Sequence, residues 1–273
     1  MMMVYPRLFA ENNSFTTVIT KKYLEKYRNY IIWKNKPSIM EIGHGDGGNS
    51  KSSLFPVLPE DLKEFIATDK SAKMIEYAEK NSVRPLMKFK ELDIETKYIP
   101  TEYLNRFDHI FGFFVMHMVK DPRQAFLNMH KMLKNDGSIF LNILEHTTID
   151  EPMDKMLKIP EWKNFGLENS ISPYYYSPNP RQEWERNLYE TGFRNYEFFE
   201  DNGVYEFEDE EFDKFVLSVS VVLPTIPDHK LEYFKQIFRE LTRKGEKVHI
   251  QQRNGKEIVS FDYKLFTISA RKS

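Results

Sequence analysis

The feature that most constrains this 273-residue chain is a short apolar strand that runs directly into a glycine-rich loop, in the segment SIMEIGHGDGGNS from Ser38 to Ser50. Glycines let the backbone turn sharply and approach a ligand closely, and a helix N-terminus behind such a loop favours anionic groups. A strand that leads into a loop of this composition predicts a nucleotide or nucleoside site in an α/β fold.

The loop fits two different binding patterns. Gly43, Gly45 and Gly48 have the GxGxxG spacing of dinucleotide-binding loops. The acid-x-GxGxG spacing of loops that hold S-adenosylmethionine is also present, at Glu41, Gly43, Gly45 and Gly47. The loop alone therefore leaves both a nicotinamide dehydrogenase and a methyl-transfer enzyme open.

Hydrophobic periodicity predicts alternating strands and helices on both sides of this loop. We expect helices over 18–34, 71–81 and 123–134 and strands over 37–42, 64–69, 86–93, 107–116 and 138–146. Later strands are expected at YEFFED and GVYEF, two helices around 212–223 and 228–244, and a long strand at the end of the chain. Residues 1–273 are predicted to form a single domain, with a cofactor-binding half at 36–146, covering helices and late strands at 147–257, and a closing strand at 258–272.

Three acidic residues at predicted strand ends indicate which ligand the loop holds. Asp69 lies at the end of the second strand, where a carboxylate can accept both ribose hydroxyls under either interpretation; capping of the next helix is the alternative. Glu41 occupies a position where dinucleotide folds keep an apolar side chain, and an acid there can organise a cationic amino group. Asp93 can accept from an adenine amine while Ile94 packs on the ring. Together they favour the methyl-transfer interpretation.

The segments MEIGHGDGG, IATDKSAKMIEYAEK, FKELDI and LKNDGSIFL resemble the successive cofactor motifs of class I S-adenosylmethionine-dependent methyltransferases, over about Pro37 to His146. The resemblance implies a Rossmann-like α/β fold: a seven-stranded, mostly parallel sheet with an antiparallel last strand, helices on both faces, and helical insertions that cover the substrate site. It also implies S-adenosyl-L-methionine as the cofactor. The implied cofactor-binding residues are Glu41, Gly43, His44, Gly45, Gly47, Asp69, Lys70, Met74, Asp93, Ile94 and Phe113.

The wider layout resembles the arthropod juvenile hormone acid O-methyltransferase family, through NSF, FGFFVMHMVKDPRQAF, EHTTIDEPMDKM, ISPYYYSPNP and FDYKLFTISARK. This resemblance implies O-methylation of the carboxylate of a small apolar acid, similar to farnesoic or juvenile hormone acid. A carboxyl group with a pKa near that of Glu, about 4.3, is already ionised at neutral pH, so no general base is required.

The resemblance also implies the residues around the acceptor. His117, Thr16 and Met118 are the catalytic candidates, although Thr16 stands where the family usually has glutamine and Met118 where it has tryptophan. These departures leave open a methyltransferase-like binding protein with altered or lost acceptor chemistry. The substrate candidates are Phe15, Phe114, His146, Trp162, Tyr174 and Tyr175, and each of these, like His117, could instead serve only core packing.

Composition limits the other functions. A formal net charge of -2 argues against a nucleic-acid partner, because phosphate binding needs clustered uncompensated Lys and Arg. The chain has no cysteine, which excludes disulfides and thiolate zinc sites, and it lacks the spacing of a metal site. No apolar run reaches the roughly 20 residues of a membrane span, and no secretory signal is recognised, so the cytoplasm is the expected location. A homodimer remains open.

Overall fold

One sheet forms the centre of the computed structural model, which describes residues 5–81, 86–208 and 210–272. In these residues the sheet has eight strands, with the order β3, β2, β1, β4, β5, β8, β6, and with β7 paired to β8. The strands are β1 (Ser38–Ile42), β2 (Glu64–Asp69), β3 (Met87–Glu91), β4 (Phe107–Phe113), β5 (Leu133–Leu144), β6 (Phe193–Glu208), β7 (Val248–Arg253) and β8 (Lys256–Lys272).

The directions of the strands confirm the predicted fold class. β1 runs parallel to β2 and β4, β2 to β3, and β4 to β5, whereas β8 is antiparallel to both β5 and β6. The last strand is therefore reversed, as the resemblance implied. The structure adds one strand, β7, to the seven that the resemblance implies. Asn254 and Gly255 both take positive φ, 54° and 76°, and fold β7 back on β8 as a hairpin.

Helices cover both faces of the sheet. They are α1 (Pro6–Asn12), α2 (Ser14–Tyr27), α3 (Ala72–Asn81), α4 (Pro122–Met132), α5 (Asp150–Leu157), α6 (Pro180–Glu190), α7 (Glu210–Val219) and α8 (Asp228–Arg243). α4 begins where the sequence predicts, because the carboxylate of Asp121 accepts the amide hydrogen of Gln124 at 2.9 Å.

Several boundaries differ from the prediction. The helix expected over 18–34 runs from Ser14 to Tyr27, and beyond it Trp33 packs edge-on against His109 of β4. β4 ends at Phe113 because Phe114 takes a left-handed φ of 57°. β5 begins at Leu133 instead of Ser138, with a register shift against β4.

β6 is one continuous strand, although a break between YEFFED and GVYEF was expected. Gly203 lies in its middle, at a position where a Cβ would overlap the ring of Tyr263 on β8. The glycine therefore allows close packing between two strands and does not form a turn.

Candidate active site

Two adjoining cavities open at the carboxyl ends of β1, β2 and β4, the edge where parallel α/β sheets bind ligands. The larger encloses about 1140 Å³ including its open mouth. Both cavities are lined by Gly43, Lys70, Phe114 and Met118, so they form one continuous cleft. Three elements cover the larger cavity: α2 through Phe15, α7 through Phe215 and Val219, and β8 through Phe261.

The backbone angles of the glycine-rich loop distinguish the GxGxxG pattern from the acid-x-GxGxG pattern. Gly43, Gly45 and Gly47 have φ values of 63°, 60° and 82°, in the left-handed region that side chains rarely adopt. Gly48 does not have a positive φ. The backbone therefore uses the glycines of the acid-x-GxGxG pattern, and the GxGxxG match is incidental.

Asp69 links β2 to this loop. Its carboxylate is 9% exposed and accepts the amide hydrogens of Gly45 at 3.0 Å and Ser71 at 2.8 Å, one on each oxygen. Each oxygen keeps a second lone pair for a ligand hydroxyl. Burial raises the pKa of Asp69 above the usual aspartate value. It lines the smaller cavity together with Asp93 and Ile94.

Glu41, His44 and Ser50 form a buried hydrogen-bonded group beneath the loop. The Oε2 atom of Glu41 lies 2.8 Å from Nδ1 of His44 and accepts the hydroxyl hydrogen of Ser50. The Nε2 side of the His44 ring faces Gly47 so closely that a Cβ there would lie 2.8 Å from it. His44 therefore supports the loop from below, and Ser50 is a participant that the sequence motifs did not reveal.

Asp93 and Ile94 lie in the loop after β3 and not at the end of the strand, because β3 ends at Glu91. Ile94 is buried, whereas Asp93 is exposed. The next residue, Glu95, accepts the backbone amide hydrogens of Lys120 at 2.6 Å and Asp121 at 2.7 Å. Glu95 thereby joins this loop to the segment that follows β4.

The three catalytic candidates all line the larger cavity. His117 lies in a 3-10 turn, where its Nδ1 accepts the amide hydrogen of Leu144 at 3.4 Å. Burial lowers the pKa of His117 to about 3, so the ring is neutral and, by this hydrogen bond, carries its proton on Nε2. The hydroxyl of Thr16 donates to the carbonyl oxygen of Asn13 at 3.0 Å, so it is already engaged within α2.

Six other candidates do not line these two cavities. Met74 is fully buried at the start of α3, and Gly47 lines a separate groove behind the loop. The remaining four are His146, Trp162, Tyr174 and Tyr175.

Those four aromatic candidates pack within the covering segments. Trp162 is fully buried, with its ring centroid 5.4 Å from that of Phe234 of α8. Tyr174 stacks edge-on against Trp184 at 4.9 Å, and the Tyr175 ring meets His146 edge-on at 5.5 Å. The rings of these four residues therefore pack against α6, against α8 and on one another.

The cleft also contains lining residues that were not among the predicted site residues: Phe9, Asp46, Asn49, Lys120, Thr147, Thr148, Ile149, Asn169, Ser170, Phe215, Val219, Val221 and Phe261. The threonines carried a usable signal, since they follow β5 at the same sheet edge. In the described parts of the chain, no group of acidic and histidine side chains could hold a metal ion. Across those same residues, no helix is long and apolar enough to cross a membrane.

Comparisons with known proteins agree with this geometry. The family described as a methyltransferase domain matches residues 40–141. The juvenile hormone acid O-methyltransferase of Bombyx mori is 28% identical over 97% of this chain and 96% of its own, and that of Drosophila melanogaster is 26% identical over 97% and 91%.

Solved structures share the fold. A Bacillus subtilis protein, YcgJ, has a TM-score of 0.57 at 19% identity and covers 94% of this chain and 98% of its own. A Haemonchus contortus phosphoethanolamine N-methyltransferase 2 in complex with S-adenosyl-L-methionine has a TM-score of 0.52 at 14% identity, over 95% of this chain and 56% of its own.

The fold, the loop and the matched domain define the chain as a class I methyltransferase that uses S-adenosyl-L-methionine. The matched domain and the relatives favour this class over the dehydrogenase alternative. Within that class, the chain resembles the juvenile hormone acid O-methyltransferases along nearly its whole length.

Asp69→Ala is expected to weaken binding of S-adenosylhomocysteine by about 1–3 kcal/mol, the scale for losing a buried hydrogen-bonding acceptor. Isothermal titration calorimetry measures the change directly. Asp93→Ala is the matched comparison, because Asp93 is exposed and its loss should cost less. Unchanged affinity in Asp69→Ala would exclude Asp69 as a cofactor ligand.

Proposed function

We propose that this methyltransferase transfers the methyl group to the carboxylate of a small apolar acid. The observation that carries the proposal is the larger cavity, which continues from the glycine loop into a wall of apolar side chains. Phe15, Leu144, Phe215, Val221 and Phe261 contribute that wall. The relatives from Bombyx mori and Drosophila melanogaster, whose names specify a carboxylic acid acceptor, support the choice.

The described residues fit the cofactor chemically. Under this proposal, the free lone pairs of Asp69 accept from the ribose, while Asp93 and Ile94 flank the adenine. The methionine end lies along the loop at Glu41 and Asn49. Asn49 lines the larger cavity, and its Oδ1 atom is buried without a hydrogen-bond partner in the described residues. Such an oxygen is suited to accept a hydrogen bond from a ligand amine.

When bound, the cofactor supplies a methyl carbon activated by a sulfonium. An acceptor carboxylate is already ionised, so the protein contributes alignment and exclusion of water instead of a base. A neutral His117 fits this role, because its Nε2 hydrogen can donate to a carboxylate oxygen without removing a proton. Phe113 and Phe114 close the cleft beside it.

The proposal is tested by incubating the protein with labelled S-adenosyl-L-methionine and a panel of farnesoic, fatty and aromatic acids. We expect labelled methyl ester from an apolar acid. We also expect thermal stabilisation by S-adenosylhomocysteine but not by NAD, since a ligand that binds only the folded state raises apparent stability. Cofactor stabilisation without transfer to any acid would overturn the acceptor class and favour a binding protein that has lost acceptor chemistry.

A further inference from the structure

An acceptor carboxylate needs hydrogen-bond donors, and two of the expected contact residues do not provide them. The Thr16 hydroxyl donates to the Asn13 carbonyl oxygen, and the Met118 side chain has no donor. Desolvating a charged carboxylate without compensating donors is costly. The cleft must therefore supply donors at other positions, beyond the single Nε2 hydrogen of His117.

Lys120 lies at the mouth of the larger cavity, directly after the turn that carries His117 and Met118. Its ammonium donates to the carbonyl oxygens of Ile171 at 2.5 Å and Glu168 at 3.3 Å. An ammonium group has three hydrogens, so one remains available. Among the described residues, no carboxylate lies within ion-pair distance of the Lys120 ammonium. The carboxylates of Asp150, Glu95 and Glu168 are near enough to favour its charged form without contacting it.

Ser170 lies in the same corner of the cavity. It belongs to the 3-10 helix Leu167–Ser170, and the two carbonyl groups that hold Lys120 come from this helix and the residue after it. Ser170 lines the cavity, and its hydroxyl oxygen is buried and has no hydrogen-bond partner in the described residues. A buried hydroxyl without a partner is costly, which indicates that a ligand completes it.

Buried Asp150 holds this corner in place. Its carboxylate accepts the backbone and hydroxyl hydrogens of Ser172 at 2.7 Å and 2.9 Å, and the amide hydrogen of Thr147 at 2.6 Å. At the other end, Glu95 accepts the backbone amide hydrogen of Lys120. The two donors are thus positioned from both sides before a ligand binds, which reduces the entropy cost of binding.

We infer that Lys120 and Ser170 form the anion-binding corner that holds one oxygen of the acceptor carboxylate. The inference rests on the proposed function for the identity of the acceptor. The other carboxylate oxygen forms the bond to the methyl carbon while the carbon–sulfur bond breaks and its electron pair stays on sulfur. No proton moves, and the product is a neutral ester that no longer pairs with the Lys120 ammonium. The corner therefore distinguishes the acid from its ester.

The test compares binding of farnesoic acid and its methyl ester to the full chain saturated with S-adenosylhomocysteine, by calorimetry. For Lys120→Met we expect about tenfold weaker binding of the acid and unchanged binding of the ester. The effect is modest because Lys120 is exposed to solvent. Lys120→Arg should retain most of the acid affinity, since it keeps the charge. Lys163→Met, at an exposed lysine of the covering segment, is the matched control and should behave as the unaltered chain does.

Ser170→Ala gives a second measurement should Lys120→Met fold poorly, and a several-fold loss of acid affinity alone is expected. Equal weakening of acid and ester would show that Lys120 only supports the covering turn, and unchanged acid affinity in both variants would also overturn the inference. If the unaltered chain binds the acid but transfers no methyl group, the proposed function fails while the corner stands. If it binds no acid, both are overturned.

Discussion

Gly43→Ala is expected to lower the affinity for S-adenosylhomocysteine by about 100-fold. An L-residue in the left-handed region costs roughly 1–2 kcal/mol, and Gly43 has a φ of 63°. A Cβ there would also lie only 2.5 Å from the Cβ atom of the partly buried Val115, too close to the main chain of that residue for a side-chain rotation to relieve. The loop must shift to relieve both, and it carries the amide of Gly45 that bonds to Asp69. Calorimetry of the folded variant measures the loss.

Gly48→Ala is the matched control for this prediction. Gly48 has no positive φ, and its Cβ would meet only the end of the Asp46 side chain, at 2.9 Å. We expect less than about a tenfold loss, because a flexible side chain can move away. Equal losses in the two variants would contradict the assignment of the acid-x-GxGxG glycines as the ones that the loop requires.

Phe15→Ala is expected to lower the free energy of unfolding by about 3–5 kcal/mol, the range for removing a large buried aromatic side chain. Phe15 of α2 is fully buried. Its ring centroid lies 5.5 Å from that of Phe215 of α7, 5.6 Å from Tyr263 of β8 and 5.6 Å from Phe114 of the cleft. The side chain therefore joins the covering helices to the sheet. Urea denaturation gives the free energy.

Val18→Ala, on the same helix, provides the comparison for Phe15. Val18 is 50% exposed, so its truncation should change the free energy of unfolding by no more than about 0.5 kcal/mol. If Phe15→Ala also lowered the free energy of unfolding by no more than about 0.5 kcal/mol, the aromatic contacts around the cavity would not stabilise the fold.

Much of the cofactor-binding half follows from the sequence. β2 has the predicted bounds, and α4 begins at the predicted Asp121 cap. β2, α4 and the glycine-rich loop each depend on interactions within a few residues. These are the alternation of apolar side chains, a carboxylate that caps nearby amides, and glycines where φ must be positive. Such features can be predicted from the sequence because the interacting residues lie close together in the chain.

The covering segment behaves differently. Trp162, Tyr174 and Tyr175 were reasonable pocket candidates from their aromatic character, yet they pack against Phe234, Trp184 and His146. An aromatic side chain is equally suited to a core and to a pocket, and its sequence neighbourhood does not say which surface it meets. Lys120 and Ser170 show the converse. Lys120 lies within the segment FGFFVMHMVKDPRQAF but had no predicted role, and Ser170 lies outside every segment that carried the resemblance.

The sequence by itself therefore determined the fold class and the loop that the glycines build, because those depend on local backbone requirements. The resemblance of its motifs indicated the cofactor. Only the tertiary structure decided which side chains line the larger cavity. That choice depends on contacts between residues far apart in the chain, such as the Lys120 ammonium and the carbonyl of Ile171, 51 positions later, and no local pattern encodes such a pairing.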